Sequence, residues 1–201
     1  MANLITIIRF PLLFLYLVIL YWGNQTALYW NVPLIILIFS LDSLDGWIAR
    51  KRGETSLLGS VLDIATDRSL EYVLWVVYAH LRLIPVVVPL IVLIRGTTVD
   101  AVRAVGMREG KSAFEQIRSP LNRFLVSSRF MRGFYGFVKG AAAALLSLAY
   151  PLLRAGSSWS DLVYATGLVF AWISVITCVV RGLPVLVEGV QSLSQDSSLK
   201  K

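Results

Sequence analysis

Apolar stretches recur along the whole chain, each about long enough for a helix to cross a bilayer and each closed by a short polar break. Ala2 to Arg9 is a short entry, in which Asn3 is placed to cap a helix start and Arg9 to sit at the level of the lipid headgroups. The first span then runs to about Trp22. Residues 23–26 form an uncharged loop flanked by Tyr21, Trp22, Tyr29 and Trp30, the aromatic pattern of a membrane interface. The second span covers about Tyr29 to Trp47 and ends in the turn 50–54. The third covers about Ser56 to Ala79, and the fourth follows Pro85, which suits a first helical turn, to about Val105. Residues 106–129 are the longest polar segment, with a short surface helix predicted around Ser112 to Arg118. The fifth span covers about Arg132 to Leu153 and the sixth about Asp161 to Val180, and the polar tail 191–201 is predicted to be disordered. The pattern predicts an all-α integral membrane protein: six transmembrane helices in one domain, 1–190, without internal repeats.

Composition agrees. Of 201 residues, 57% are hydrophobic and only 15% charged, where a soluble domain carries nearer a quarter. A net charge of +7 would suit nucleic acid, but a basic excess at membrane edges suits anionic lipid headgroups and phosphorylated substrates instead. Six spans put both termini on one side. Of the 19 Lys and Arg, only Arg82 and Arg154 fall in loops of the opposite side, so the positive-inside rule places both termini in the cytoplasm. One cysteine, Cys178, rules out an internal disulfide and a cysteine metal site; one histidine, His80, rules out a His-rich zinc site and reads as an interfacial side chain. The N-terminal apolar run lacks a small-residue cleavage site and reads as a retained span. Gly136 and Gly140 form a GxxxG pair, read as close helix packing within the protomer.

Against this apolar background the stretch from Asp42 to Asp67 stands out. It holds Asp42, Asp45, Gly46, Ala49, Arg50, Gly59, Asp63 and Asp67. Carboxylates are costly near hydrocarbon and are functional candidates there. If the stretch is one helix end, a turn and the next helix start, Asp42 and Asp45 share a face, and so do Asp63 and Asp67. Two such helices can converge four acids on one small volume. Like charges about 4 Å apart repel by roughly 4 kcal/mol at an effective dielectric near 20, so the cluster must take up protons or bind cations. Oxygen ligands suit Mg²⁺ or Mn²⁺ before Zn²⁺. Gly46, Ala49 and Gly59 leave the backbone open to a ligand, and Arg50 offers a fixed charge for a phosphate oxygen.

The pattern D-x2-D-G-x2-A-R-x8-G-x3-D-x3-D resembles the signature of the CDP-alcohol phosphotransferases, integral membrane enzymes of phospholipid synthesis, at every fixed position. The resemblance implies transfer of a phosphatidyl group from CDP-diacylglycerol to a small alcohol acceptor, with release of CMP. It implies two Mg²⁺ (or Mn²⁺) ions on Asp42, Asp45, Asp63 and Asp67, with Asp67 also the catalytic base. Gly46, Ala49, Arg50 and Gly59 would border the CDP-alcohol. A possible homodimer is implied as well, and the positive-inside rule puts the Asp cluster, and with it a polar active-site cavity, at the cytoplasmic side.

Arg95, Arg103, Arg129, Arg132 and Lys139 are candidates for the acceptor, and such a basic pocket would favour a phosphorylated polyol such as glycerol 3-phosphate. The Arg95 and Arg103 spacing is loosely similar to the phosphatidylglycerophosphate synthase branch, which typically has an acidic residue where this chain has Gly96. The competing reading of these charges is anchoring at the membrane edge, with Arg95 or Arg103 paired to Asp100. Two other classes fit the composition. A membrane prenyltransferase for polyprenyl diphosphates would need its Asp-rich motifs in two separated hairpins, and here all four acids lie in one. An ion-coupled transporter would leave the glycines and Arg50 unexplained.

Overall fold

The computed structural model describes residues 2–52, 57–108 and 120–198. They form seven helices: α1 Ala2–Trp22, α2 Gln25–Arg52, α3 Leu57–His80, α4 Val87–Arg108, α5 Pro120–Ser127, α6 Arg129–Ala155 and α7 Ser160–Ser198. No strand occurs among the described residues. Four helices are long and apolar enough to cross a membrane by length and composition: α1, α2, α6 and α7. The third and fourth predicted spans are also long helices, but α3 carries Asp63, Asp67, Arg68 and Glu71, and α4 carries Arg95, Asp100, Arg103 and Arg108.

The helix limits differ from the sequence expectation in physical detail. α1 begins at Ala2, ahead of Asn3, and the residue that caps a start is Asn24. Its side chain accepts from Ala27 N at 2.8 Å, which ends the 23–26 loop after two residues. α2 continues through Arg52, three residues into the predicted turn. α5 lies in the segment read as polar, where Pro120 suits a first turn and Leu121, Phe124 and Leu125 recur at helical spacing. α7 runs to Ser198, into the tail for which disorder is predicted. The surface helix predicted around Ser112 to Arg118 lies outside the described residues.

The chain divides into two compact units. The first comprises residues 1–86 and 140–171. Its helices bury stripes at three- and four-residue spacing: Thr6, Arg9, Leu13, Tyr16 and Leu20 on α1, and Leu28, Asn31, Ile35 and Ile38 on α2. α1 packs on both α2 and α3. A buried polar knot fixes their register. The Tyr16 hydroxyl lies 2.7 Å from Ser147 Oγ and 3.0 Å from the Tyr78 hydroxyl, and Asn31 Nδ2 donates to Tyr16 O. Ser147 and Tyr78 also reach Ala143 O, so α1, α3 and α6 are tied at one level. Large apolar side chains such as Phe14, Val18, Trp22 and Trp30 point outward, which suits lipid. Gly140 packs on Phe39, as the GxxxG reading expects, whereas a Cβ on Gly136 would meet nothing.

The second unit comprises residues 87–139 and 172–201. Val99 of α4, Val126 of α5 and Val185 of α7 form its buried cluster, with Val102 and Leu186 against it. Gly189 admits Val102, and Cys178 is a buried thiol.

Two helix ends show a matched pair of caps. Leu83 N donates to Tyr78 O and Arg82 N to Ala79 O; Ser157 N donates to Leu152 O and Gly156 N to Leu153 O. The pivots, Arg82 at φ 59° and Gly156 at φ 62°, are both left-handed. Only glycine adopts that region without a steric cost. Gly156→Ala is therefore expected to lower unfolding free energy by about 1 kcal/mol and Arg82→Gly to raise it by about as much. Thermal unfolding in detergent measures both, and a stabilising Gly156→Ala would contradict the assignment.

Candidate active site

The site lies in the first unit. Asp42 extends the buried stripe of α2, four residues past Ile38. Asp63 and Asp67 occupy successive turns of α3. All three turn toward the guanidinium of Arg9. Its Nη1 donates to Asp42 Oδ1 at 2.7 Å and lies 4.0 Å from Asp63 Oδ1, while Nη2 lies 4.0 Å from Asp67 Oδ1. The Arg9 side chain is 1% exposed, whereas those of Asp42, Asp63 and Asp67 are 38%, 51% and 37% exposed. The cluster thus has a buried cationic floor and carboxylates reachable from outside.

This corrects the expectation that Arg9 sits among lipid headgroups. Burying a charge is tolerable only with an opposite charge in hydrogen-bonding reach, and Asp42 supplies it. A second residue is added by the structure. Glu71, one turn beyond Asp67, is buried with Oε2 3.5 Å from Arg68 Nη1.

Asp45, Gly46, Ala49 and Arg50 lie on α2, but their side chains fall outside those described; Gly59 lies in the first turns of α3, half-buried. Among the described residues no group of three His, Cys, Asp or Glu side chains is arranged to hold a metal ion. Among the described residues the Arg9 guanidinium is a cation that all three carboxylates approach. The donors of these three residues are all oxygen, the donor chemistry a hard divalent ion prefers.

A second charged cluster lies in the other unit. Arg95 and Arg103 lie on α4 and Arg181 on α7. Arg181 is held by α5, donating from Nε to Leu125 O and from Nη2 to Val126 O, each at 3.3 Å. These are carbonyls of a helix C-terminus, which lack partners within the helix. The Arg181 guanidinium and Lys139 Nζ lie 5.4 and 5.5 Å from the centre of the Tyr135 ring. Arg95 rests on Gly182, where a Cβ would stand 2.4 Å from Arg95 Nε and 2.9 Å from its Cγ. Of the sequence-derived candidates, Arg95 thus lies against the residue next to Arg181, and Lys139 shares the Tyr135 ring with Arg181; Arg103 lies about two turns along α4 from Arg95. Arg129 and Arg132 are exposed on the first turn of α6. Arg181 and Gly182 escape sequence reading because an arginine just after an apolar run reads as an anchor.

Among curated proteins, none matches the chain. The family model described as CDP-alcohol phosphatidyltransferase matches residues 1–180, a range that holds both the carboxylate cluster and the α4 arginines. Members are generally dependent on divalent metal and act on CDP-alcohols and an alcohol acceptor in the membrane. The prenyltransferase and transporter readings are thereby set aside. The chain belongs to the CDP-alcohol phosphatidyltransferase family and is a phosphotransferase of phospholipid biosynthesis.

Proposed function

We propose that the enzyme transfers a phosphatidyl group from CDP-diacylglycerol to a phosphorylated polyol such as glycerol 3-phosphate, releasing CMP. The observation that carries this reading is the convergence of Asp42, Asp63 and Asp67, from two helices, on one buried cation.

Phosphoryl transfer is mostly positioning and charge neutralisation. Asp42, Asp45, Asp63 and Asp67 would hold two divalent ions, Mg²⁺ first, which offset the diphosphate charge and stabilise the departing CMP oxygen. Gly46, Ala49 and Gly59 let the nucleotide approach the helix backbones, and Arg50 contacts its phosphates. Asp67 accepts the proton of the acceptor hydroxyl. The acceptor oxygen forms its bond to the lipid-linked phosphorus, the anhydride bond breaks, and CMP leaves with the bonding electron pair. No ATP is consumed, because the anhydride already stores the driving force. In this reading α3 and α4 also span the bilayer, giving six spans with termini and site cavity toward the cytoplasm. The acyl chains then stay in lipid while the headgroup reaches the carboxylates.

The acceptor's phosphate is assigned to Arg95, Arg103, Arg181 and Lys139, with Arg129 and Arg132 as exposed outer charges. Support comes from the placing of Arg95 against Gly182, the neighbour of Arg181, and of Arg181 and Lys139 over the one Tyr135 ring, a basic grouping suited to an anion.

Asp67→Asn is expected to reduce turnover by at least about 10²-fold, the scale of a lost general base, while metal-dependent binding of CDP-diacylglycerol persists. Steady-state CMP release and lipid binding check this together, and normal turnover would remove Asp67 as the base. Arg95→Ala and Gly182→Ala are expected to raise the acceptor KM about tenfold or more with little change in the CDP-diacylglycerol KM; Arg132→Ala should do less. An acceptor panel of glycerol 3-phosphate, inositol phosphate, serine and glycerol provides the readout. Equal use of unphosphorylated acceptors would overturn the phosphate assignment.

A further inference from the structure

Arg9 lies outside the Asp42–Asp67 stretch, and no step above uses it. Yet it is the most deeply buried charge of the site, on the same stripe of α1 as Leu13 and Tyr16. Its Nε and Nη2 are buried without a hydrogen-bond partner, although a guanidinium carries five donor hydrogens. A side chain evolved only to pair with Asp42 would be expected to spend those donors. Here Nη2 is left 4.0 Å from Asp67 Oδ1, at ion-pair distance, while Nη1, which donates to Asp42, lies 4.0 Å from Asp63 Oδ1.

We infer that Arg9 is a resident counter-cation that tempers metal binding: it balances the carboxylates when no metal is bound and opposes the divalent ion when one arrives. This rests on reading the cluster as the metal site. The carboxylates are open on one side and face Arg9 on the other. A metal entering from the open side therefore shares them with a positive charge already in place. Two effects follow with the same sign. Without Arg9, the metal-free cluster keeps its mutual repulsion and is destabilised. Without Arg9, the metal-bound cluster also loses a cation–cation repulsion and a guanidinium competitor for Asp42 Oδ1. Both widen the gap between metal-free and metal-bound states, so metal affinity must rise when Arg9 is neutralised. A residue that merely orients metal ligands behaves oppositely, and its loss weakens metal binding by about 10- to 100-fold.

The biological consequence concerns charge at the membrane edge. The tethered charge lets the enzyme persist with its acids gathered before metal and nucleotide arrive. It also limits how tightly the acids hold the divalent ion, which leaves that ion's charge available to the diphosphate.

The test is Mn²⁺ titration of the full-length, detergent-solubilised protein by electron paramagnetic resonance, with thermal unfolding of the metal-free samples. Arg9→Gln is expected to bind Mn²⁺ about tenfold tighter than wild type or more, and to unfold at a lower temperature without metal, with a larger rise on adding Mn²⁺. Arg9→Lys keeps the charge and is expected to stay within about threefold of wild-type affinity. If Arg9→Gln can be recovered only with Mn²⁺ or Mg²⁺ present, the ion is replacing the missing charge, which supports the proposal. If it cannot be recovered at all, Arg9→Lys decides: affinity near wild type supports the proposal, and a loss of tenfold or more overturns it. Unchanged or weaker Mn²⁺ binding by a folded Arg9→Gln overturns it while leaving the metal site standing. Absence of bound Mn²⁺ in wild type and variants alike would instead overturn the metal reading itself.

Discussion

A charge inside an apolar bundle has to be answered by another, and the pair of Arg9 and Asp42 meets that condition at 2.7 Å. Much of the first unit can be understood as the means of keeping that meeting in register. The Tyr16, Tyr78 and Ser147 knot ties α1, α3 and α6 at one level. Arg9 lies two turns from Tyr16 on α1, and Asp67 about three turns from Tyr78 on α3, so a slip at the knot would move the guanidinium against the acids. Hydroxyl pairs hold such a register better than aliphatic packing alone, because a slip leaves buried polar atoms unsatisfied.

The same logic governs the second unit with the sign reversed. Arg95, Arg103 and Arg181 are gathered rather than dispersed. The geometry that permits this is local: α5 offers its terminal carbonyls to Arg181, and Gly182 leaves room for Arg95.

The long helices were legible because runs of apolar residues the length of a bilayer leave few alternatives. The carboxylate cluster was legible because Asp42, Asp63 and Asp67 fall at spacings that fix their faces once the helices are granted. Arg9 was not. α1 is apolar on every side, so nothing in its sequence separates the buried stripe from the lipid-facing one, and an arginine near a chain start reads as a headgroup anchor. Its isolation on the spacing Thr6, Arg9, Leu13, Tyr16 was the available signal, visible only after Tyr16 is known to be buried. α5 was hidden by the polar residues around it, and Gly182 because a packing partner distant in sequence gives a glycine its meaning.

In the proposed reaction, cations held by these aspartates grip the nucleotide diphosphate. Electron–nuclear double resonance on Mn²⁺-loaded protein with CDP-diacylglycerol tests it most directly, because phosphorus couples to Mn²⁺ only at coordination range. The account predicts a phosphorus coupling in wild type that is lost in Asp63→Asn. A coupling that survives Asp63→Asn unchanged, or no coupling in a wild-type enzyme with both Mn²⁺ and lipid bound, would contradict it.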